Sequence, residues 1–426
     1  MGKELRDIGY QSRMYAKVQT LMNHVNEETI KDEHRKQVKK KATGVDGVGK
    51  EEYGEELDKN VKELLGSMKK FSYKPLPVRR VYIPKGNGKQ RPLGIPAYED
   101  KLVQGVMARL LNEVYEERFL ECSYGYRPNK SAHDVVKYIN NTIMTKKVNY
   151  VLETDIKGFF DNVNHDWLMK FLENDIQDKN FLRYIKRFLI AGVMEEGIRK
   201  KSDKGTPQGG SISPVLANVY LHYVLDLWSE KKLKKEVKGE IYYVRYADDE
   251  LWMFQYENDA KHVLNMLRQR LEEFGLEVAE EKTRIIPIGR FKGTKDDFDF
   301  LGFTFFNTKT RKGKYRLGVR TNKKKLKAKK RVVKAWLRTR LTKPIARTME
   351  LINMALRGHY NYYGVSGNYH AIQKFYKYVK YSCYRMLNRR SQKRSMKYDK
   401  FLRIWNYYTE VPQLKVDIWN WKLKQI

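Results

Sequence analysis

Apolar residues recur at helical spacing through the first seventy positions, interrupted by the turn-forming stretch TGVDGVG at 43–49. A helix is expected over about 51–70, ending near FSYKPLP. The period then shortens. VRRVYIP and RPLGIP flank KGNGK, the pattern of a β-hairpin with a Gly-rich, basic turn. From Glu99, apolar residues at 102, 103, 106, 110 and 111 predict a helix of about twenty residues. NYVLETDI (149–156) predicts a strand, and helices are expected near 165–173 and 179–191. KGTPQGGSISP is a loop, after which Ser213 is the expected N-cap and Pro214 the first helical residue of SPVLANVYLHYVLDLW. Strand, turn and strand follow over 241–254, then a helix over 257–274 ended by Gly275, then short strands near 283–288 and 298–305.

Beyond residue 305 the period is 3.6 in TNKKKLKAKKRVVKAWLRTRL, ARTMELINMALRGHYNYYG and YHAIQKFYKYVKYSCYRML. There is no internal repeat. The expected fold class is therefore α+β, an antiparallel sheet with helices, followed by an all-helical region.

Charge separates the same two regions. The 426-residue chain carries a formal +35, and Phe300 to Tyr398 holds 28 Lys and Arg against one acid, Glu350. The rest of the chain is close to balanced, at +8. A concentrated basic segment points to nucleic acid or an anionic membrane surface. No apolar run approaches the ~18–20 residues of a membrane span. MGKELRDIGY lacks a signal-peptide core, and Arg6 stands where myristoylation wants Ser or Thr. Cys122 and Cys383 form no CxxC, so neither a zinc site nor a disulfide framework is expected, and an intracellular, cytoplasmic protein fits best.

The chemistry concentrates in YYVRYADDELWMF (242–254), where Asp248 and Asp249 lie side by side between two strand patterns. Within a strand, successive side chains face opposite ways, but at a tight turn both acids can converge. A divalent cation would relieve their repulsion. Asp155, ending the strand of LETDIKGFFDNV, supplies a third carboxylate. Taken singly, the pair could be a solvated turn and Asp155 a helix N-cap. Lys85 and Arg91 flank the turn of IPKGNGKQR, placed to clamp phosphates, and Gly209 and Gly210 of TPQGGS leave backbone open to a ligand. Each loop alone also suits an ordinary hairpin or helix entry.

Taken in order, GVDGV, RRVYIPKGNGKQRPLGIP, SYGYRPNKSAHDVV, TDIKGFFDNV, GTPQGGSISPVLANVYL, RYADD and FLGF resemble the motif series of reverse transcriptases, and more narrowly of bacterial group II intron-encoded reverse transcriptase/maturases. The resemblance implies a right-hand polymerase. Its N-terminal extension and the start of its fingers would span 1–75, fingers and palm 76–305, a basic thumb or maturase domain 306–395, and a short tail 396–426. It also implies that Asp155, Asp248 and Asp249, with the Ile156 carbonyl, bind two Mg²⁺ ions, which Mn²⁺ can replace. Lys85 and Arg91 match triphosphate contacts, Gln208 and Gly209 the loop beside nucleotide and template, and Lys282 a palm lysine. FLGF (300–303) matches the primer-gripping hairpin. Phe160 matches the aromatic that selects sugars: a ring under the ribose leaves no room for a 2′-hydroxyl, which implies deoxynucleotides. Asp161 also resembles the acid with which RNA-dependent RNA polymerases read that hydroxyl, but NVNHD follows it, as in group II proteins, and favours the gate.

The implied activity is RNA-directed DNA synthesis on a DNA or RNA primer, with group II intron RNA or another RNA as partner, splicing support, no membrane, and a bacterial, nucleoid- or RNA-associated location. RGHYNYYG (357–364) and LNRRSQKRS (387–395) resemble maturase segments, although most tyrosines of the row 360–384 are expected in the core. An HNH endonuclease is expected to be absent. The rival readings are a reverse transcriptase recruited to defence or repair, and a non-catalytic splicing factor.

Overall fold

The computed structural model describes residues 2–84, 90–195, 197–200, 203–206, 209–390 and 395–419. The first expected hairpin forms from β1 (Val78–Pro84) and β2 (Gln90–Ile95), with Ile83 opposite Arg91. The Tyr98–Glu116 helix follows and buries the apolar positions that define it. Strand β3 (Tyr150–Asp155) opens a second sheet. Strands β4 (Val193–Glu195) and β5 (Ile198–Lys200) return to the first, giving the order β2-β1-β4-β5 with β1 and β4 parallel. Strands β6 (Ile241–Tyr246), β7 (Asp249–Phe254) and β8 (Arg284–Pro287) complete the second, in the antiparallel order β6-β7-β3-β8. A third sheet, β11-β10-β9, consists of β9 (Asp297–Phe300), β10 (Phe303–Lys309) and β11 (Tyr315–Thr321).

The second sheet is buried on both faces, and its alternation sorts side chains between two cores. Leu152, Trp252 and Phe254 join the larger core with Leu216 of the Ser213–Leu221 helix and Val263 and Leu267 of the Glu257–Glu273 helix. Val151, Leu251 and Met253 point the other way. They meet Phe298, Phe303 and Phe305 of the third sheet and Val135 and Ile139 of the Ala132–Thr145 helix. That helix starts at a capping box in which Ser131 and Asp134 satisfy each other's backbone. Among the described residues four helices follow the sheets: Lys323–Arg338, Ile345–Tyr363, Tyr369–Asn388 and Tyr398–Tyr408. They share a third core around Leu356, Phe375 and Trp405. The α+β region followed by a helical one is thus the observed order of the chain.

Three local expectations are corrected. Ser213 is the first helical residue and not the cap. Ile212, at φ −83° and ψ −24°, caps the helix, because the loop is already winding: the Ser213 N–H reaches the Gly210 carbonyl at 3.3 Å. The all-helical region begins at Lys323 and not at 306. Strand β10 crosses residue 305 and pairs with β11 from Phe303↔Thr321 to Lys309↔Tyr315. The Phe303/Phe305 and Leu317/Val319 alternation carries this hairpin, but the charged turn TKTRKGK between them obscures the period.

The segment past 395, expected as a short tail, supplies the Tyr398–Tyr408 helix, with Phe401 and Trp405 fully buried. Its continuation returns toward the sheets, where Lys415 and Val416 donate to the Gly364 carbonyl and Ile418 is buried in the second core. Of the tyrosine row, Tyr360 is buried and Tyr363, Tyr376, Tyr378 and Tyr384 pack half-buried against the helical core, whereas Tyr362, Tyr369 and Tyr381 are exposed. Among the described residues no helix is long and apolar enough to cross a membrane.

Candidate active site

Tyr246 pairs with Asp249 across β6 and β7, so Ala247 and Asp248 alone form the turn between them. Ala247 takes φ 58°, in the left-handed region that L-residues avoid. Asp249 is also the register partner of Asp155 on β3. Direct cross-strand partners share a sheet face, which places these two carboxylates together, and the turn brings Asp248 in beside them. Adjacent acids converge here because the strand alternation ends at residue 249.

The electrostatics report that convergence. Asp249 opens onto a cleft of about 320 Å³. Enclosure by the protein, with the charges of Asp248 and Asp155, pushes its carboxyl up to about 7. Burial and Asp155 also raise Asp248, while Arg91 and Arg245 pull it down. Lys282, from the short turn Glu280–Lys282, forms an ion pair with Asp155, and that bond is the main reason its ammonium is held above its ordinary value. Glu153, one residue pair further along the same face, is bound by Arg284 at 2.6 Å and by the Asp299 N–H at 3.2 Å.

The other expected residues distribute around this centre. Arg91, on β2, is near enough to Asp248 to act on its charge, so the first sheet faces the carboxylates. Lys85 and Gln208 lie outside the described residues. Gly209 takes φ 120°, and a Cβ there would sit 2.5 Å from the Gly94 carbonyl, so Gly209 rests directly on β2. Phe160 does not line the carboxylate cleft. It is 9% exposed and borders, with Asp161, Tyr82, Pro92 and Thr206, another cavity of about 380 Å³ beneath the first sheet. The Ala279 N–H donates to the Asp155 carbonyl at 2.7 Å and the Lys157 N–H to the Glu277 carbonyl at 2.9 Å. The Ile156 carbonyl between them is therefore turned to the opposite edge, the side of Asp249.

Among the described residues no group of three His, Cys, Asp or Glu side chains is drawn close enough to form a metal cage. The donor chemistry nevertheless suits a hard dication. Burial first, and then the charges of their neighbours, raise Asp248 and Asp249, while Lys282 pairs with Asp155.

Several residues at this centre carried no signal by themselves. SYGYRP lies against the acid turn: the Tyr124 N–H donates to the Arg245 carbonyl at 2.9 Å, and a Cβ on Gly125 would sit 2.2 Å from the Ala247 nitrogen. From the helical region, the Tyr362 hydroxyl donates to the Leu301 carbonyl at 2.8 Å, and Lys325 acts on Asp249. Leu301 and Gly302, both at positive φ, form the two-residue turn between Phe300 and Phe303, and Leu301 borders the cleft. Basic residues dominate the Lys323–Arg338 helix, whose first turn the Asn322 side chain caps.

A family model described as reverse transcriptase (RNA-dependent DNA polymerase) matches residues 83–305. Protein YkfC of Escherichia coli is 31% identical over 307 residues, covering 64% of this chain and 78% of that protein. The group II intron-encoded protein LtrA of Lactococcus lactis subsp. cremoris is 33% identical over 263 residues, 57% of this chain and 44% of LtrA. A putative COX1/OXI3 intron 1 protein of Saccharomyces cerevisiae is 31% identical over 281 residues, 55% of this chain and 33% of that protein. The match thus spans less than half of each intron-encoded relative.

Proposed function

The chain belongs to the reverse transcriptase (RNA-dependent DNA polymerase) family, and on that premise we propose that it extends a primer with deoxynucleotides along an RNA template. The observation that carries the reading is the meeting of Asp155, Asp248 and Asp249 at the end of β3 and β7, with Arg91 opposite them. The three carboxylates and the Ile156 carbonyl would hold two Mg²⁺, or Mn²⁺ in their place. The chemistry such ions would supply there is activation of the primer 3′-hydroxyl and neutralisation of the leaving pyrophosphate. Arg91, with Lys85, balances triphosphate charge. Lys282, paired with Asp155 here, would turn to a phosphate if a cation took that carboxylate. Gly209, which meets β2, would border the nucleotide, and Gln208 is assigned the same role by its motif. Phe160, held under the first sheet, excludes a 2′-hydroxyl, so Phe160→Ala is expected to admit ribonucleotides; unchanged sugar selection would remove Phe160 from that role.

We further propose that the helical region grips RNA, with group II intron RNA as the natural partner and splicing support as the consequence. The relatives' intron origin and the +27 carried between Phe300 and Tyr398 favour this. A-form RNA is held mainly by backbone and shape, which an exposed basic helix suits.

Primer extension on an RNA template with Mg²⁺, comparing deoxynucleotides with ribonucleotides and wild type with Asp248→Asn, tests the reading. DNA synthesis that the substitution abolishes while RNA affinity persists supports it. A folded, RNA-binding wild type that synthesises nothing would overturn it in favour of a non-catalytic splicing factor.

A further inference from the structure

Behind the three aspartates, the opposite face of the same strands carries a second polar row. Thr154 precedes Asp155, Glu250 follows Asp249, and Arg245 is the register partner of Glu250. The Thr154 hydroxyl donates to Glu250 Oε1 at 2.6 Å. Arg245 is fully buried and uses all five of its N–H donors. Nε and Nη2 grip the two oxygens of Asp226 at 2.8 and 2.6 Å. The second Nη2 proton goes to Ser123 Oγ at 2.8 Å. Nη1 donates to Asn218 Oδ1 at 2.8 Å and to the Ala247 carbonyl at 2.9 Å.

These partners come from four separate places: the His222–Asp226 π-helical turn, the Ser213–Leu221 helix, the SYGYRP loop and the acid turn itself. The last contact is the informative one. Ala247 holds a left-handed conformation that its side chain disfavours, and Arg245 holds its carbonyl from beneath. From the other side, Gly125 abuts the Ala247 nitrogen, and the Asn218 amide fixes Gly125 through its carbonyl at 2.7 Å.

We propose that Arg245 is a positioning residue, which fixes the left-handed Ala247 turn and thereby sets how tightly Asp248, with Asp155 and Asp249, binds a divalent cation. The inference rests on the cation-dependent reading above for its ligand, and on the five hydrogen bonds for its geometry. Lysine at 245 keeps a cation beside Asp226 but cannot reach Asp226, Ser123, Asn218 and Ala247 together. A buried pair that merely supports the fold would lower stability in such a variant and leave cation affinity alone.

The test titrates Mn²⁺ into the full chain without RNA, followed by electron paramagnetic resonance, with Asp248→Asn marking the signal that belongs to this site. Arg245→Lys is expected to weaken that Mn²⁺ binding roughly tenfold, in the range typical of residues that orient metal ligands. The Mg²⁺ concentration for half-maximal extension is expected to rise in parallel, with the KM for deoxynucleotides unmoved. A folded Arg245→Lys that binds Mn²⁺ like wild type overturns the proposal. If that variant fails to fold, Asn218→Ala, which withdraws an acceptor from the same Nη1 and releases Gly125, must weaken Mn²⁺ several-fold, and wild-type binding there is equally fatal. A wild type that binds Mn²⁺ at this site but makes no DNA defeats the polymerase reading alone. One that binds no Mn²⁺ defeats both.

Discussion

The turn that carries the acids and the helices that carry the positive charge solve opposite problems. Behind the acid turn Arg245 is enclosed and spends all five of its donors on named partners, while Asp249 itself opens to the cleft. In the Lys323–Arg338 helix the charges stand outward, and Lys323, Lys324, Lys325 and Lys327 are exposed. Among the described residues, the ion pairs of the helical region are Arg347 with Glu350 and Arg357 with Glu410. Several of its cations lie over rings instead, Lys329 over Phe375 and Lys330 over Tyr378, which rests the aliphatic stem on the core. Transfer of a phosphoryl group needs atoms fixed in position. Holding a polyanion needs charge density, and tolerates movement. The two regions should therefore fail separately.

The largest separation is expected from Asp155→Asn. If Asp155 holds the proposed cations, its loss should lower single-turnover extension by about 10²–10³-fold, the scale of losing a principal electrostatic stabiliser. RNA affinity, measured by filter binding, should stay within about twofold, since no cationic contact is lost. A matching fall in both would mean that the two regions are not independent.

The converse change replaces Lys323, Lys324 and Lys325 with Gln. Each lost phosphate contact should lower the slope of log affinity against log salt by about 0.7–0.9, so the triple variant should lose roughly two to three in slope and about tenfold in affinity at moderate salt. The maximal extension rate at saturating RNA should change little. An unaltered slope would remove this face from the RNA-binding surface. Lys325 is where the comparison is least clean, because its charge also lowers Asp249.

A smaller effect concerns pH. Without metal, Asp249 titrates near 7 in the folded chain and near the ordinary carboxylate value when unfolded. The folded state then binds more protons between about pH 4 and 7, so this group's contribution to stability falls as pH rises through that window. A cation competing with those protons should help most above it. Mg²⁺ is expected to raise Tm by roughly 1–3 °C at pH 8 and by less at pH 6. Asp248→Asn should remove most of the gain. Equal shifts at both pH values would place the Mg²⁺ elsewhere.

What the chain revealed in advance divides along similar lines. Asp155, Asp248 and Asp249 were legible because paired acids inside an apolar alternation contradict local propensity, and that contradiction can be read within a dozen residues. Arg245 was not legible as a hub. Its partners lie between 2 and 122 positions away, at Ala247, Asp226, Asn218 and Ser123, and no period connects them. Phe160 was singled out only through the family resemblance, and the sequence could not tell that its ring borders the cavity beneath the first sheet and not the cleft. The β10–β11 hairpin was missed because Lys and Arg fill its turn. The Tyr398–Tyr408 helix was missed because its burial depends on Trp405 meeting Tyr376, twenty-nine residues earlier, through a 2.8 Å hydrogen bond.

The seam between the regions offers the smallest and most discriminating change. Tyr362 belongs to the helical Ile345–Tyr363 segment, yet its ring stacks on Phe303 of β10, with centroids 5.7 Å apart and planes 18° from parallel. Its hydroxyl donates to the Leu301 carbonyl, at the turn that borders the cleft. Partial burial of the residue, which stays 36% exposed, pushes the phenol up to about 12, so the donor proton is present at any working pH. Tyr362→Phe keeps the stacking and removes that one bond, worth about 0.5–1.5 kcal/mol. If the bond holds the turn against the helices, kcat/KM for extension should fall two- to tenfold by that free energy, while RNA affinity and its salt slope stay put. If the salt slope changes instead, Tyr362 is part of the RNA grip and the division between the regions runs through β10. If neither moves, the ring alone joins them, and the hydroxyl is a passenger on a contact made by Phe303.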